Sequence, residues 1–226
     1  MSRTEMSAAA ASTTGRFRLL AQWITSLIVM GLAPGSILAQ THDHGRATSG
    51  AADAATPLYS QDDVMFLTHM IVHHEQALEM AALVSARTHR EDFIRFARYV
   101  DGSQRAEIDQ MKSLLRAAAE RGVEIPHHEM LGDPPMNGML SKAQMAALAA
   151  SSGAGFEKLW LQGMIYHHEG ALAMGREQQQ RQFETGRQPY GIDVLVDDIL
   201  VVQRAEITKM KAWLTQWGLD GSVEVH

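Results

Sequence analysis

The chain has 226 residues, a formal net charge of −6, no cysteine, 14 methionines and 11 histidines. An acidic chain without a basic stripe is not expected to bind nucleic acid or an anionic membrane surface. Because there is no cysteine, disulfides are excluded, and any soft-metal ligands must come from methionine and histidine.

Residues 1–39 have the pattern of a secretory signal. Arg16 and Arg18 precede a mostly apolar run that is short for a membrane span, and small residues follow it as far as Ala39. We therefore expect a periplasmic or secreted protein whose signal is cleaved and which has no stable membrane insertion afterwards. An uncleaved membrane anchor is the alternative. Residues 40–58, which are small, polar and rich in alanine and glycine, are predicted to form a flexible tether.

After the tether the sequence predicts helices only, since no segment alternates apolar and polar residues with a period of two. Three capping boxes indicate helix starts: Ser60 with Asp63, Thr88 with Glu91, and Ser141 with Gln144. Glycines indicate two helix ends, at Gly122 and Gly218. The predicted helices cover residues 61–87, 90–121, 155–182 and 192–217, with a short helix near 141–150.

The chain contains a tandem duplication. The stretch HMIVHHEQALEM from His69 recurs as GMIYHHEGALAM from Gly163, and QRAEIDQMKSLL from Gln104 recurs as QRAEITKMKAWL from Gln203. Each copy is predicted to be an α-hairpin, and two hairpins bury their apolar faces best against each other. The predicted fold is therefore all-α, an antiparallel four-helix bundle over residues 59–218. Its halves are residues 59–122 and 141–218, and the linker is 123–140.

A doubled histidine accompanies the apolar face of the first helix in each copy. Met70 lies three residues before His73 and four before His74, so the three side chains lie on neighbouring turns where one ion could join them. The second copy repeats this spacing at Met164, His167 and His168. Imidazole and thioether donors suit Cu(I), or Ag(I) as its mimic, better than magnesium, calcium or manganese. Zinc bound by histidine and glutamate alone remains open.

The second helix of each copy offers further donors on one face: Gln104, Glu107 and Met111, then Gln203, Glu206 and Met210. Core packing is the competing role for each methionine, and a hydrogen-bonded core position is the competing role for a single histidine. The duplication of the whole donor set favours a metal site.

The pattern of di-iron bundle enzymes is absent, because Gln110 and Lys209 occupy the positions three residues after Glu107 and Glu206. We also find no nucleophile elbow, no phosphate-binding loop and no His-Glu-x-x-His zinc helix. The sequence thus favours a protein that sequesters or transfers copper. A small copper or di-metal redox enzyme that uses the same residues is one alternative, and a metal-free structural bundle is another.

These motifs resemble those of domain-of-unknown-function family three-hundred-and-five, whose halves read MIxHHxxAxxMA and then QxxEIxxM. The resemblance covers residues 60–217 and includes the linker run PPMNGML. It implies a ferritin-like bundle, an exported copper- or silver-binding role in copper homeostasis, and a copper exporter or chaperone as the kind of protein partner. Cu(I) is the preferred metal, with Cu(II) and Ag(I) as the others considered.

The implied metal ligands are Met70, His73, His74 and Met80, then Met164, His167, His168 and Met174. Glu107, Met111, Glu206 and Met210 match the second-helix pattern, and Gly163 in place of His69 departs from full equivalence of the copies.

Overall fold

A computed structural model describes residues 58–126 and 136–220 of the chain. In these ranges it contains five α-helices and a short 3-10 turn and no strand, in the order α1 (Gln61–Ala82), turn (Val84–Ala86), α2 (Glu91–Ala119), α3 (Lys142–Ala150), α4 (Gly153–Thr185) and α5 (Ile192–Gln216). Helix α1 packs along α2, α4 packs along α5, and the two hairpins meet mainly through α1 and α4. The predicted all-α four-helix bundle is confirmed.

Other expectations fall on parts of the chain that the structure does not describe. The predicted signal, the tether before residue 58 and the middle of the linker, residues 127–135, lie outside the described residues. Within the described ranges, no helix is both long enough and apolar enough to cross a membrane.

Two of the three predicted capping boxes are confirmed. The Ser60 hydroxyl accepts from the Asp63 backbone N–H at 3.1 Å, and the Asp63 carboxylate accepts from the Ser60 N–H at 2.7 Å. Ser141 and Gln144 form the same reciprocal pair at the start of α3. The predicted helix ends are also found, since both glycines have the left-handed backbone that ends helices: Gly122 at φ 81° and Gly218 at φ 67°.

The predicted capping box of Thr88 with Glu91 is wrong. Helix α2 begins at Glu91 with Arg90 as its N-cap, and no side chain caps it. The Thr88 hydroxyl instead donates to the buried carboxylate of Glu157 at 2.5 Å, and Arg90 binds the same carboxylate at 2.9 Å. A buried carboxylate is the stronger acceptor, so a contact between the hairpins replaces the local cap.

The linker explains why the two copies differ at one aligned position. The Gln76 side chain pairs with the backbone of Leu140 in both directions, donating to its carbonyl at 2.9 Å and accepting from its N–H at 2.7 Å. The aligned residue of the second copy is Gly170, and a Cβ there would overlap the Asn137 carbonyl group. Gln76 therefore holds the end of the linker by hydrogen bonds, and Gly170 leaves room for it.

We expect Gly170→Ala to destabilise the protein by roughly 1 to 3 kcal/mol, because the linker backbone must move to admit the methyl group. Urea denaturation would measure the free energy of unfolding. The control is Gly102→Ala, on the exposed side of α2, where a Cβ meets nothing within 4 Å; there alanine should stabilise by about 0.5 to 1 kcal/mol. Equal effects at the two glycines would contradict the close approach of the linker.

Candidate metal centre

The doubled histidines of α1 and α4 meet in the middle of the bundle. His73, His74, His167 and His168 are all fully buried. The rings of His73 and His167 lie face to face across the interface of the two helices, with centroids 3.8 Å apart and planes inclined by 35°. His74 and His168 lie on the outer sides of this pair, at centroid distances of 6.3 Å and 6.0 Å from their neighbours in sequence. The two copies thus contribute to one cluster of four imidazoles.

Each outer histidine is held by a glutamate of the second helix in its own hairpin. His74 Nε2 lies 2.6 Å from the Glu107 carboxylate, and His168 Nε2 lies 2.6 Å from that of Glu206. Both carboxylates are almost completely buried. Because an ionised carboxylate can only accept a hydrogen bond, Nε2 is the donor in each pair. The other ring nitrogen, Nδ1, takes no part in this contact.

The inner histidines have the same arrangement with backbone acceptors. His73 Nε2 donates to the Asn137 carbonyl at 2.9 Å, and His167 Nε2 donates to the His73 carbonyl at 2.7 Å. All four histidines therefore use Nε2 to reach an oxygen. The Nδ1 atom of each is buried without a hydrogen-bond partner in the part of the chain that the structure describes.

The inner pair is neutral at physiological pH. Burial, helped by the neighbouring His74 imidazole, lowers the pKa of His73 to about 3. Burial also lowers the pKa of His167 well below its ordinary value, and the imidazoles of His73 and His168 add to the effect. A neutral ring with its hydrogen on Nε2 has a lone pair on Nδ1, which is the form that binds a metal.

More polar atoms without partners lie in the same interior. The side chains of Gln104 and Gln203 are buried, and among the described residues nothing bonds to the Gln104 side-chain oxygen or to either polar atom of the Gln203 amide. The second carboxylate oxygen of Glu206 is also unpartnered there. Buried polar groups without partners are rare and costly, and the oxygen atoms among these have lone pairs that a cation could accept.

The predicted methionine ligands divide into two groups. Four are fully buried and lie one helical turn from a histidine or a glutamate of the cluster: Met70, Met111, Met164 and Met210. Met80 and Met174 lie seven residues beyond His73 and His167, which is about 10 Å along each helix axis. The structure therefore places the first group beside the cluster and displaces the other two by two turns.

The histidines and carboxylates alone do not form a ready-made site. In residues 58–126 and 136–220, no three side chains among histidine, aspartate and glutamate are placed to hold one metal ion. One carboxylate oxygen of each glutamate already contacts a histidine, Glu107 at His74 Nε2 and Glu206 at His168 Nε2. Metal binding here requires additional donors, such as the buried thioethers, or a shift of the imidazoles.

One surface feature reaches the cluster. A groove of about 590 Å³ between α2 and α5 is lined by Phe96, Tyr99 and Trp213 and also by Glu206. Since Glu206 contacts His168, the groove leads from solvent to the second copy's histidine–glutamate pair.

Two features of the centre could not be predicted from the sequence. The Asn137 carbonyl binds His73, and Gln76 fixes the linker that carries it. A backbone acceptor has no signature in sequence. The two copies of the motif are otherwise similar, but Gln76 of the first aligns with Gly170 of the second. This difference was a signal that another part of the chain packs closely there.

Comparison with known proteins finds solved structures that are similar to this bundle. A DUF305 protein of Streptomyces coelicolor, assigned as secreted, is 30% identical, with 73% of this chain and 97% of that chain covered and a TM-score of 0.59. A DUF305 fragment of Deinococcus radiodurans is also 30% identical, covering 70% of this chain and 97% of that chain with a TM-score of 0.58.

CopM in its Cu(I)-bound form is 26% identical and covers 69% of this chain and 96% of that chain, with a TM-score of 0.53. CopM is also known in Ag-bound and Cu(II)-bound forms. The comparison with curated proteins gave no match. The model of the family described as Domain of unknown function (DUF305) matches residues 63–214. The chain belongs to the DUF305 family.

Proposed function

We propose that this is an exported copper-binding protein that sequesters Cu(I), or Ag(I), or hands it on, through histidines and methionines inside the bundle. One observation carries the proposal: four buried histidines all use Nε2 for an oxygen acceptor and leave Nδ1 without a partner. Leaving a buried polar atom unsatisfied costs about 1 to 3 kcal/mol. A metal ion that accepts these lone pairs would offset that cost.

The surrounding donors favour a soft metal. The fully buried thioethers of Met70 and Met164 lie one turn before His73 and His167, and the chain has no thiolate. Imidazole with thioether is a donor set for Cu(I) and Ag(I), whereas magnesium and calcium require oxygen ligands. The copper- and silver-bound forms of CopM, a relative of 26% identity, support the same choice.

Glu107 and Glu206 have an indirect role in this proposal. Metal-binding histidines commonly donate their other ring N–H to a carboxylate, which fixes the ring and raises its basicity. The contacts of His74 with Glu107 and of His168 with Glu206 have this form. Each glutamate uses one carboxylate oxygen for its histidine, and the second oxygen of Glu206 has no partner among the described residues.

An exported location is supported by the signal-like residues 1–39, by the absence of cysteine and by a relative assigned as secreted. Metal carried outside the cytoplasm would be received from, or passed to, another copper-handling protein such as an exporter or chaperone.

A small copper or di-metal redox enzyme is the competing function. The duplicated histidine–glutamate pairs favour it, because such pairs also surround catalytic metals. Metal-loaded protein in air with ascorbate as reductant would distinguish the two functions. Oxygen consumption over many turnovers would indicate an enzyme, whereas copper retained without turnover would indicate a carrier.

The direct test is metal analysis of protein isolated from its own compartment, followed by titration with Cu(I) against a coloured Cu(I) chelator. We expect copper in the isolated protein, and Cu(I) withheld from the chelator even when zinc is present in excess. Protein that contains no copper and withholds none would contradict the proposal.

A paired substitution tests the thioethers. Met70→Leu with Met164→Leu conserves volume, so stability should fall by no more than about 1.5 kcal/mol per site. We expect Cu(I) affinity to fall by about tenfold or more, because the soft donors are lost. The control is Met145→Leu, half-buried on the short helix α3, which should change nothing. Unchanged Cu(I) affinity would assign both methionines to the core and leave a histidine site open to zinc.

A further inference from the structure

The duplication creates two related positions at the contact of α1 with α4, and the structure fills them differently. At Gly163 a Cβ would lie 3.2 Å from the Met80 methyl group and 3.0 Å from the Leu140 side chain. Leu140 belongs to the linker, so this position is closed. His69 and Met174 align with Gly163 and Met80, and at the related position they line an open pocket of about 300 Å³.

The open pocket contains three soft or borderline donors. Met65 and His69 lie four residues apart on one face of α1, and Met174 faces them from α4. All three side chains are partly exposed, so the pocket is accessible from solvent. Methionine has three rotatable bonds, which lets the two thioethers adjust around an ion.

The imidazole of His69 is available as a ligand. Its ring lines the pocket and is partly exposed to solvent. Among the described residues we find no hydrogen-bond partner for this ring.

The charges around the pocket suit a monovalent cation. Asp62 and Glu177 line it and are exposed, which raises the local concentration of cations. Arg181 opposes them, but its guanidinium donates to the Gln178 side chain at 3.0 Å. The lining thus combines two carboxylates with one arginine that is already hydrogen-bonded.

We propose that Met65, His69 and Met174 form a second soft-metal site, which binds Cu(I) or Ag(I) at the surface of the bundle. It rests on the soft-metal function proposed above but uses no residue of the four-histidine cluster. Because the site opens to solvent, it exchanges metal with the surroundings more readily than the buried cluster. It also gives Met174 and His69 a role that the duplicated motif alone does not explain.

Silver nitrate titration of the full chain with ¹³C-methyl-labelled methionine tests the proposal, with the methyl signals followed by NMR. We expect the Met65 and Met174 signals to shift, while that of Met145 stays fixed. In His69→Ala the shifts of Met65 and Met174 should require about tenfold more silver. The signals of Met70 and Met164 should respond to silver as in the wild type.

A second variant separates this site from the buried cluster. In His73→Gln/His167→Gln the Met65 and Met174 signals should still shift, even though those of Met70 and Met164 no longer respond. That result would support the surface site whether or not the cluster binds metal in the wild type. The surface site is overturned if Met65 and Met174 do not respond to silver in the wild type, or if His69→Ala leaves their response unchanged.

Discussion

Replacing His73 and His167 together with glutamine is expected to lower the affinity for Cu(I) by more than about 100-fold, while the bundle stays folded. The change removes the two neutral Nδ1 lone pairs at the centre of the cluster. Glutamine keeps an N–H donor for the two carbonyl oxygens that these histidines now reach. Loss of a supporting residue typically costs 10- to 100-fold in metal affinity, so loss of two ligands should cost more.

The measurement is a competition titration against a Cu(I) chelator, with helicity followed by circular dichroism. Glu107→Gln should have the smaller effect, about 10- to 100-fold, because it only loosens His74. His89→Gln, at an exposed histidine just before α2, is the matched control and should leave affinity unchanged. Wild-type affinity in the double glutamine variant would rule out both histidines as ligands.

The fold was predictable because its signals are local. Helical periodicity, the capping boxes at Ser60 and Ser141, and the terminal glycines all act within a few residues. Where the prediction was less accurate, contacts between the hairpins decide the structure. Thr88 binds Glu157 of α4 rather than capping α2, and α1 ends at Ala82, where a 3-10 turn takes over.

The histidines and glutamates that the structure brings together could be named from the sequence, but their arrangement could not. Spacing alone placed Met70 beside His73 and gave each copy its own potential site. It could not show that His73 and His167 contact each other, because that depends on how far α1 slides along α4. The same alignment of helices brings Met174, which lies about two turns from His167 along α4, to His69.

The buried cluster also makes the metal-free protein acid-sensitive. Its free energy of unfolding is expected to fall steeply as the pH drops from about 6.5 towards 3. The unfolded chain binds a proton at each histidine below about 6.5. Folded His73 binds one only near pH 3, and the pKa of His167 is also well below the ordinary value. Between these two pKa values the folded protein therefore binds fewer protons than the unfolded chain. The contribution of these histidines to the free energy of unfolding is fully present above about pH 6.5 and is lost as the pH falls towards the folded pKa.

The expected size follows from the width of this window. The free energy of unfolding falls by about 1.4 kcal/mol per pH unit for each proton that only the unfolded chain binds. His73 alone should therefore lower it by roughly 2 to 3 kcal/mol between pH 6.5 and 4.5. His167 adds to this loss, because burial also lowers its pKa well below the ordinary value. Urea denaturation of metal-free protein at several pH values would measure this loss. His73→Gln/His167→Gln should flatten the dependence on pH, because glutamine does not titrate, whereas His89→Gln should keep it. Since carboxylate effects are common to all three proteins, the same slope in the double variant would show that the buried imidazoles do not stay neutral in the folded protein.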